Sequence, residues 1–396
     1  MKRETVMLEG HDIVCFANDW DSDPLSKKHI MTRLARTNRV LWVDSLGNRK
    51  PTASTHDLRR VIHKLRQRSS GCRRVGENLW AFTPLILPFY GSAMARRLNR
   101  RWLRRSLLAV LGQLGFERPI TWTFVPSSAD VVGTLGERLT IYHCVDEYTE
   151  FTGADAGIAE MERRLLAKSD LVLVSAGPLY EDKRRFNPNT FLVTHGVDVA
   201  HFGRALDPAT PIPRELERLS RPVVGFFGLI EDWVDLDLIR AAAQARPQWS
   251  MVLVGKARTS TEAVESLPNV HLVGWRDYET LPAWCRGFDV AILPFRINRL
   301  TLAANPLKLR EYLAAGLPVV ATAIPEAERL APVRIGRTAE EFVREIDRLV
   351  AEGTTGPSAA RAQAMRTESW DHKVEEMCAV AQGFLGEPAQ RREMVR

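Results

Sequence analysis

Short apolar runs rich in Val, Ile, Phe and Trp alternate with helix-length amphipathic segments along most of the 396 residues. A strand followed by a helix and then another strand implies a parallel sheet, because the helix returns the chain across one face. DIVCFA (12–17), RVLWVDS (39–45), LWAFTP (79–84), ITWTFVP (120–126), LTIYHCVD (139–146), DLVLVSAG (170–177) and TFLVTHG (190–196) read as strands, with helices over 26–36 and 154–169. A Pro-marked segment, 204–222, interrupts the pattern and reads as a connection. The cycle then restarts with strands over 223–230, 250–255, 269–275, 289–295 and 318–323, and helices over 235–246, 278–287, 338–353 and 368–384. The expected fold class is α/β: two doubly wound domains, 1–203 and 223–367, facing each other across a cleft, followed by a C-terminal helix and tail over 368–396.

Composition narrows the function classes. The five cysteines (15, 72, 144, 285, 378) form no CxxC pair, which argues against a disulfide framework and a structural zinc site. No apolar run approaches the ~20 residues of a membrane span, and MKRETVMLEG lacks the apolar stretch of a signal peptide, so a cytoplasmic protein is expected. The net charge of +7 is unevenly spread: residues 49–105 hold fifteen Lys/Arg against Asp57 and Glu77, an excess of thirteen that leaves the remainder near −6. Within that region MARRLNRRWLRRSL (94–107) reads as an amphipathic helix, with Ala95, Leu98, Trp102, Leu103 and Leu107 on one side and Arg residues, among them Arg97, Arg101 and Arg104, on the other or at the boundary. A basic helix with a Trp suits an anionic membrane surface; a helix packed on its own domain with a solvated Arg face is the plainer alternative. No recognised nucleic-acid module is present, and nucleic acid is not an expected partner.

NPLKLREYLAAGLPVVAT (305–322) poses the chemical question. Asn305 can cap a helix, Pro306 fits its first position and Gly316 ends it, yet Lys308 puts a cation where the helix dipole is already positive. A phosphate resolves the conflict: the free N–H groups of Leu307 and Lys308 and the lysine ammonium together form an anion clamp. Glu311, one turn on, can accept hydrogen bonds from a ribose diol. A solvated Lys–Glu pair on a helix face is an equal reading of the spacing alone.

This run resembles the donor-site helix of retaining glycosyltransferases of family 4, which have the GT-B fold of two facing Rossmann-like domains, and among them the bacterial teichuronic-acid and polysaccharide-assembly type. FANDWDSDPLSKKHIMTRLA, YHCVDEY, THGVDVAHF, GFFGLIEDW and SWDHKVEEM follow in the same order, so the resemblance runs nearly the full chain. It implies that 1–203 is an acceptor-side domain, 223–367 binds a nucleotide-sugar, and 368–396 crosses back to the first domain. Glu311 matches the second glutamate of the family's Glu-x7-Glu motif, the one that binds ribose; the first falls at Ala303, so the usual sugar contact is missing.

The remaining candidates follow from position. Gly228, ending the strand at 223, permits close backbone approach to a ligand; Glu231, Asp232 and Trp233 then stand where many relatives place basic residues. Positive charge would come from Lys308, then Lys256, then Arg276, and Val273 and Gly274 stand where the family reads the base with backbone groups. His143 and Asp146, at a strand's carboxyl end, would contact the transferred sugar or the acceptor. Asp19 and Asp21 could orient an acceptor hydroxyl, and Trp20 could stack on a sugar. The resemblance implies no metal and no other cofactor. The function expected is transfer of a sugar from a nucleotide-sugar to a glycan or lipid-linked acceptor, with retention, in bacterial polysaccharide or cell-envelope assembly at the inner face of the plasma membrane. A GT-B sugar-nucleotide epimerase and a catalytically silent GT-B scaffold are the rivals.

Overall fold

The computed structural model describes residues 7–45, 71–86, 93–155 and 157–386. The chain divides into two compact units, one running to Thr194 and resuming at Lys373, the other spanning His195–His372.

The first unit is built on an eight-stranded sheet. Its strands are β1 (Asp12–Phe16), β2 (Arg39–Val43), β3 (Cys72–Gly76), β4 (Leu79–Phe82), β5 (Ile120–Thr123), β6 (Leu139–Cys144), β7 (Leu171–Val174) and β8 (Thr190–Leu192). They lie in the order β3-β4-β2-β1-β5-β6-β7-β8, parallel throughout except for β3, which runs antiparallel to β4. The central strands are buried end to end, β6 as LTIYHC and β7 as LVLV, as expected for a parallel sheet covered on both faces. β3, CRRVG, is an edge strand with no fully buried residue, and its polar composition is why the apolar alternation passed it over.

The second unit holds a six-stranded, wholly parallel sheet: β9 (Val223–Phe227), β10 (Ser250–Val254), β11 (Val270–Gly274), β12 (Val290–Leu293), β13 (Val319–Thr322) and β14 (Arg334–Gly336), in the order β11-β10-β9-β12-β13-β14. Gly225 in β9 is required by packing, since a Cβ there would lie 2.3 Å from the ring of Phe288. Residues 204–222, expected as a connection, belong to this unit instead, with Ala205 and Leu216 in its core.

Each sheet reverses its direction of growth once. The first extends from β1 to β2 on one side and to β5 on the other; the second extends from β9 to β10 and β11 on one side and to β12 on the other. The crevices beyond the carboxyl ends at these two switch points are where α/β sheets bind ligands. Four helices bear on them or on the chain's surface: α1 (Ser26–Leu34), α2 (Ala93–Leu114), α3 (Leu307–Ala314) and α4 (Trp370–Leu385). α2 is longer than the predicted 94–107. α4 begins in the second unit and ends in the first.

Candidate active site

At the switch point of the second sheet three strands end side by side. The Gly228 N–H donates to Val254 O at 2.8 Å and the Gly255 N–H to Gly274 O at 2.8 Å. Gly228 has φ +131°, and a Cβ there would come within 1.8 Å of Lys308 Cε; Gly255 has φ +153°, and its Cβ would meet the Gly228 carbonyl oxygen at 1.8 Å. Both positions therefore exclude a side chain on conformational and steric grounds, and the gap is filled by Lys308. Gly228 was expected at the site, Gly255 was not; its signal was its place at the end of the strand SMVLVG.

Helix α3 starts one residue later than expected. Pro306 is the N-cap, with φ −66° and ψ 121°, and no side chain caps the helix. The N–H groups of Leu307 and Lys308 find no acceptor among the described residues. The Lys308 ammonium lies 5.9 Å from the centroid of the Phe226 ring and makes no hydrogen bond or ion pair among the described residues. Burial lowers its pKa, with Glu311 acting in the opposite sense. The Glu311 carboxyl likewise makes no hydrogen bond among the described residues, and burial raises it to about 7 against the pull of Lys308. Two part-buried groups of opposite charge thus stand one helical turn apart, at a helix end whose own donors are open.

The inward face of α3 fixes this arrangement. Tyr312 Oη accepts the N–H of Phe227, the last residue of β9, at 2.9 Å, which ties the helix to the strand end below Lys308. Arg310 is fully buried; it donates to Asn305 Oδ1 at 2.7 Å, Glu326 Oε1 at 2.7 Å and Glu368 Oε2 at 3.0 Å. Asn305 is therefore a structural residue here. Its side chain serves Arg310, its carbonyl oxygen meets His195 Nδ1 at 2.9 Å, and it does not cap the helix.

The other donor-side candidates divide. Lys256 is exposed and makes no side-chain hydrogen bond among the described residues. The carbonyl of Val273 accepts from Arg276 at 3.1 Å, and that of Gly274 from Gly255. Arg276 is itself engaged, lying over Trp284 at 5.4 Å, so it does not supply a second free cation. Ala303 is buried and closes the short helix Arg299–Leu302.

In the first unit most predicted site residues are structural. His143 is fully buried, stacked on Phe124 with centroids 4.9 Å apart and accepting from Trp122 Nε1 at 3.4 Å, the arrangement of a core histidine. Asp19 accepts the Ser45 N–H at 3.1 Å, Asp21 pairs with Arg73 at 2.7 Å, and Trp20 packs edge-on against Trp42 at 5.2 Å. Asp146 differs. It is part-buried, with its carboxyl raised to about 6 by burial while Lys27 pulls it down. Lys27, in the first turn of α1, escaped notice in the sequence because SKKHIMTRL reads there as an exposed basic start.

On α2, Arg97, Arg101 and Trp102 are exposed, and Arg104 donates to Thr134 O at 3.0 Å. The single apolar side expected there splits in two. Ala95, Leu103 and Leu107 are buried, whereas Leu98 and Trp102 join Met94 on an exposed stripe.

Residues 221–352 match the model of the family described as Glycosyl transferases group 1, a span that contains the three strand ends, Lys308 and Glu311. This segment is a group 1 glycosyl transferase domain. Beyond it, the chain is 27% identical over 278 residues to TuaH of Bacillus subtilis (strain 168), named for teichuronic acid biosynthesis glycosyltransferase activity, covering 64% of this chain and 70% of that protein. Among solved structures it is similar to sucrose-phosphate synthase from Thermosynechococcus elongatus (17% identity, TM-score 0.59, 97% of each chain). It is also similar to the catalytic domain of starch synthase IV from Arabidopsis thaliana bound to ADP and acarbose (11% identity, TM-score 0.64, 96% of this chain and 100% of that one). The fold is GT-B. Among the described residues no helix is long and apolar enough to cross a membrane, and no group of three or more His, Cys, Asp or Glu is placed to hold a metal ion.

Proposed function

We propose that the group 1 domain binds a nucleotide-sugar through its diphosphate and that the enzyme transfers the sugar, with retention, to a glycan or lipid-linked acceptor of polysaccharide or cell-envelope assembly. The observation that carries this reading is Lys308: a cation without an ion pair among the described residues, threaded between Gly228 and the uncapped end of α3. A diphosphate would supply the missing charge, taking hydrogen bonds from the N–H groups of Leu307 and Lys308 and from the ammonium. Glu311 would accept from the ribose hydroxyls. The charge that develops on the departing diphosphate is then met by donors already in position, with the leaving oxygen helping to deprotonate the acceptor on the same face and no metal required. The similarity to a teichuronic acid biosynthesis glycosyltransferase supports an envelope acceptor.

Calorimetry with UDP, GDP and related nucleotides tests this directly. We expect at least one to bind wild-type protein and Lys308→Ala to lose most of that affinity while keeping its melting temperature. Binding of no nucleotide would favour the catalytically silent scaffold, and turnover of a sugar nucleotide without acceptor would favour the epimerase. The exposed stripe Met94, Leu98 and Trp102 on α2, flanked by Arg97 and Arg101, supports peripheral attachment to an anionic bilayer.

A further inference from the structure

The first turn of α1 repeats the features of α3. The N-cap, Leu25, is extended at φ −101° and ψ 176°, no side chain caps the helix and its first turn holds no acidic residue. A lysine occupies the second helical position in both: Lys27 after Ser26, Lys308 after Leu307. The N–H groups of Ser26 and Lys27 find no acceptor among the described residues, since the first bonds to the cap carbonyl come from Lys28 and His29. Lys27 is 8% exposed and Ser26 4%, and neither the ammonium nor the hydroxyl makes a hydrogen bond or ion pair among the described residues.

Lys27 also stands at the switch point of its sheet. Its ammonium lies 5.9 Å from the centroid of Phe124, the residue after β5, and it feels the charge of Asp146, just beyond β6. Lys27 forms no ion pair with Asp146 among the described residues, so the cation is only partly balanced, and burial lowers its pKa. A buried ammonium without a partner is costly, and a structure that keeps one at an open helix end gains when an anion arrives.

We propose that the first unit carries its own phosphoryl-binding site, formed by Lys27, the Ser26 hydroxyl and the open N–H groups of Ser26 and Lys27, which takes the phosphate or diphosphate of a phosphorylated acceptor. The donors match those expected of a phosphate site in kind: one cation, one hydroxyl and two backbone amides.

The test uses pyrophosphate and a nucleoside diphosphate (UDP or GDP, whichever binds) as separate probes of the full chain. Calorimetry should count two pyrophosphate sites in wild type and one in Lys27→Met, with Ser26→Ala weakening that same site several-fold. Melting temperature checks folding, and Ser26→Ala carries the test if Lys27→Met fails to fold. If the phosphoryl group belongs to the acceptor, the nucleotide Kd is unchanged in Lys27→Met and the KM for acceptor rises at least tenfold. If the nucleotide Kd rises tenfold as well, the site stands but the phosphate it reads is the donor's. Unchanged pyrophosphate stoichiometry and affinity in both variants overturn the proposal. Nucleotide affinity retained in Lys308→Ala would refute the reading of the second unit, and the loss of one pyrophosphate site in Lys27→Met would still stand.

Discussion

Lys308 and Glu311 are separated by one turn of α3, and burial works against the charge of each. The consequence for stability has a definite sign. Glu311 binds its proton more tightly folded, with a pKa of about 7, than unfolded at 4.5. Between those values the native state holds more protons than the unfolded one, so stability falls as pH rises, and the penalty is complete above pH 7. A displacement of that size corresponds to on the order of 3 kcal/mol. Ligand-free protein should therefore melt at a lower temperature at pH 7.5 than at pH 5, and Glu311→Gln should flatten that segment of the curve. Nucleotide binding should run the other way. A carboxylate that accepts from a ribose diol must be ionised, so the Kd for nucleotide should rise as pH drops from 8 to 6. A Kd constant across that range would remove Glu311 from the ribose. Lys308→Ala should lower transfer by roughly 10²- to 10³-fold, the scale expected for one preorganised charge-stabilising donor. Its melting temperature should hold, because the change deletes a part-buried cation that forms no ion pair among the described residues.

At the scale of the element, α3 is positioned by two residues whose roles differ in how far the sequence reveals them. Tyr312, one position after Glu311, fits an inward-facing aromatic by its spacing, but the spacing does not show that its hydroxyl holds the N–H of Phe227. Tyr312→Phe should cost about 1 kcal/mol of stability yet reduce nucleotide affinity more than a distant core change of equal cost, because Lys308 shifts with the helix. Arg310 was hidden. An Arg beside Glu311 on a short helix looks solvated, and its partners, the buried Glu326 and the part-buried Glu368, are remote in sequence. Replacing Arg310 with Met removes one interior donor from Glu326, which retains Arg329, and takes the guanidinium from Asn305 and Glu368 as well. A loss of roughly 3 kcal/mol or more is expected in denaturant titration. Arg310→Lys should recover only part, since one ammonium cannot reproduce three separately directed bonds. The same contrast runs through the fold. Apolar alternation located the buried strands with small errors at their ends, whereas polar β3, the buried Lys27 and the core placement of His143 depend on tertiary contacts that spacing does not encode.

Across the whole molecule the charge distribution points to where the chain meets a large partner. Residues 49–105 hold the excess of basic charge and the rest sums to mildly acidic; 49–70 and 87–92 lie outside the described residues, so the surface to be judged is that of α2. Part of that region is α2, whose core side is satisfied by Ala95, Leu103 and Leu107. What remains outside is a second apolar line, with Met94 74% exposed, Leu98 37% and Trp102 42%. These three are spaced four residues apart along the helix, with Arg97 and Arg101 beside them. An apolar line next to arginines suits the interface of an anionic bilayer, where each basic residue contributes about 1 kcal/mol and the Trp seats among headgroups. The two contributions separate experimentally. Flotation with vesicles containing anionic lipid should capture the protein at low salt. Raising salt to several hundred millimolar should release most of it, because screening removes the charge contribution. Arg97→Glu with Arg101→Glu should abolish flotation even at low salt, while Trp102→Ser should weaken it at every salt concentration without changing the slope of the salt dependence. Nucleotide affinity should stay at the wild-type value in both variants, since α2 lies in the first unit and the nucleotide is assigned to the second. Equal flotation of wild type and the double-charge variant would show that α2 is not the attachment surface, whatever else in the chain binds the vesicle.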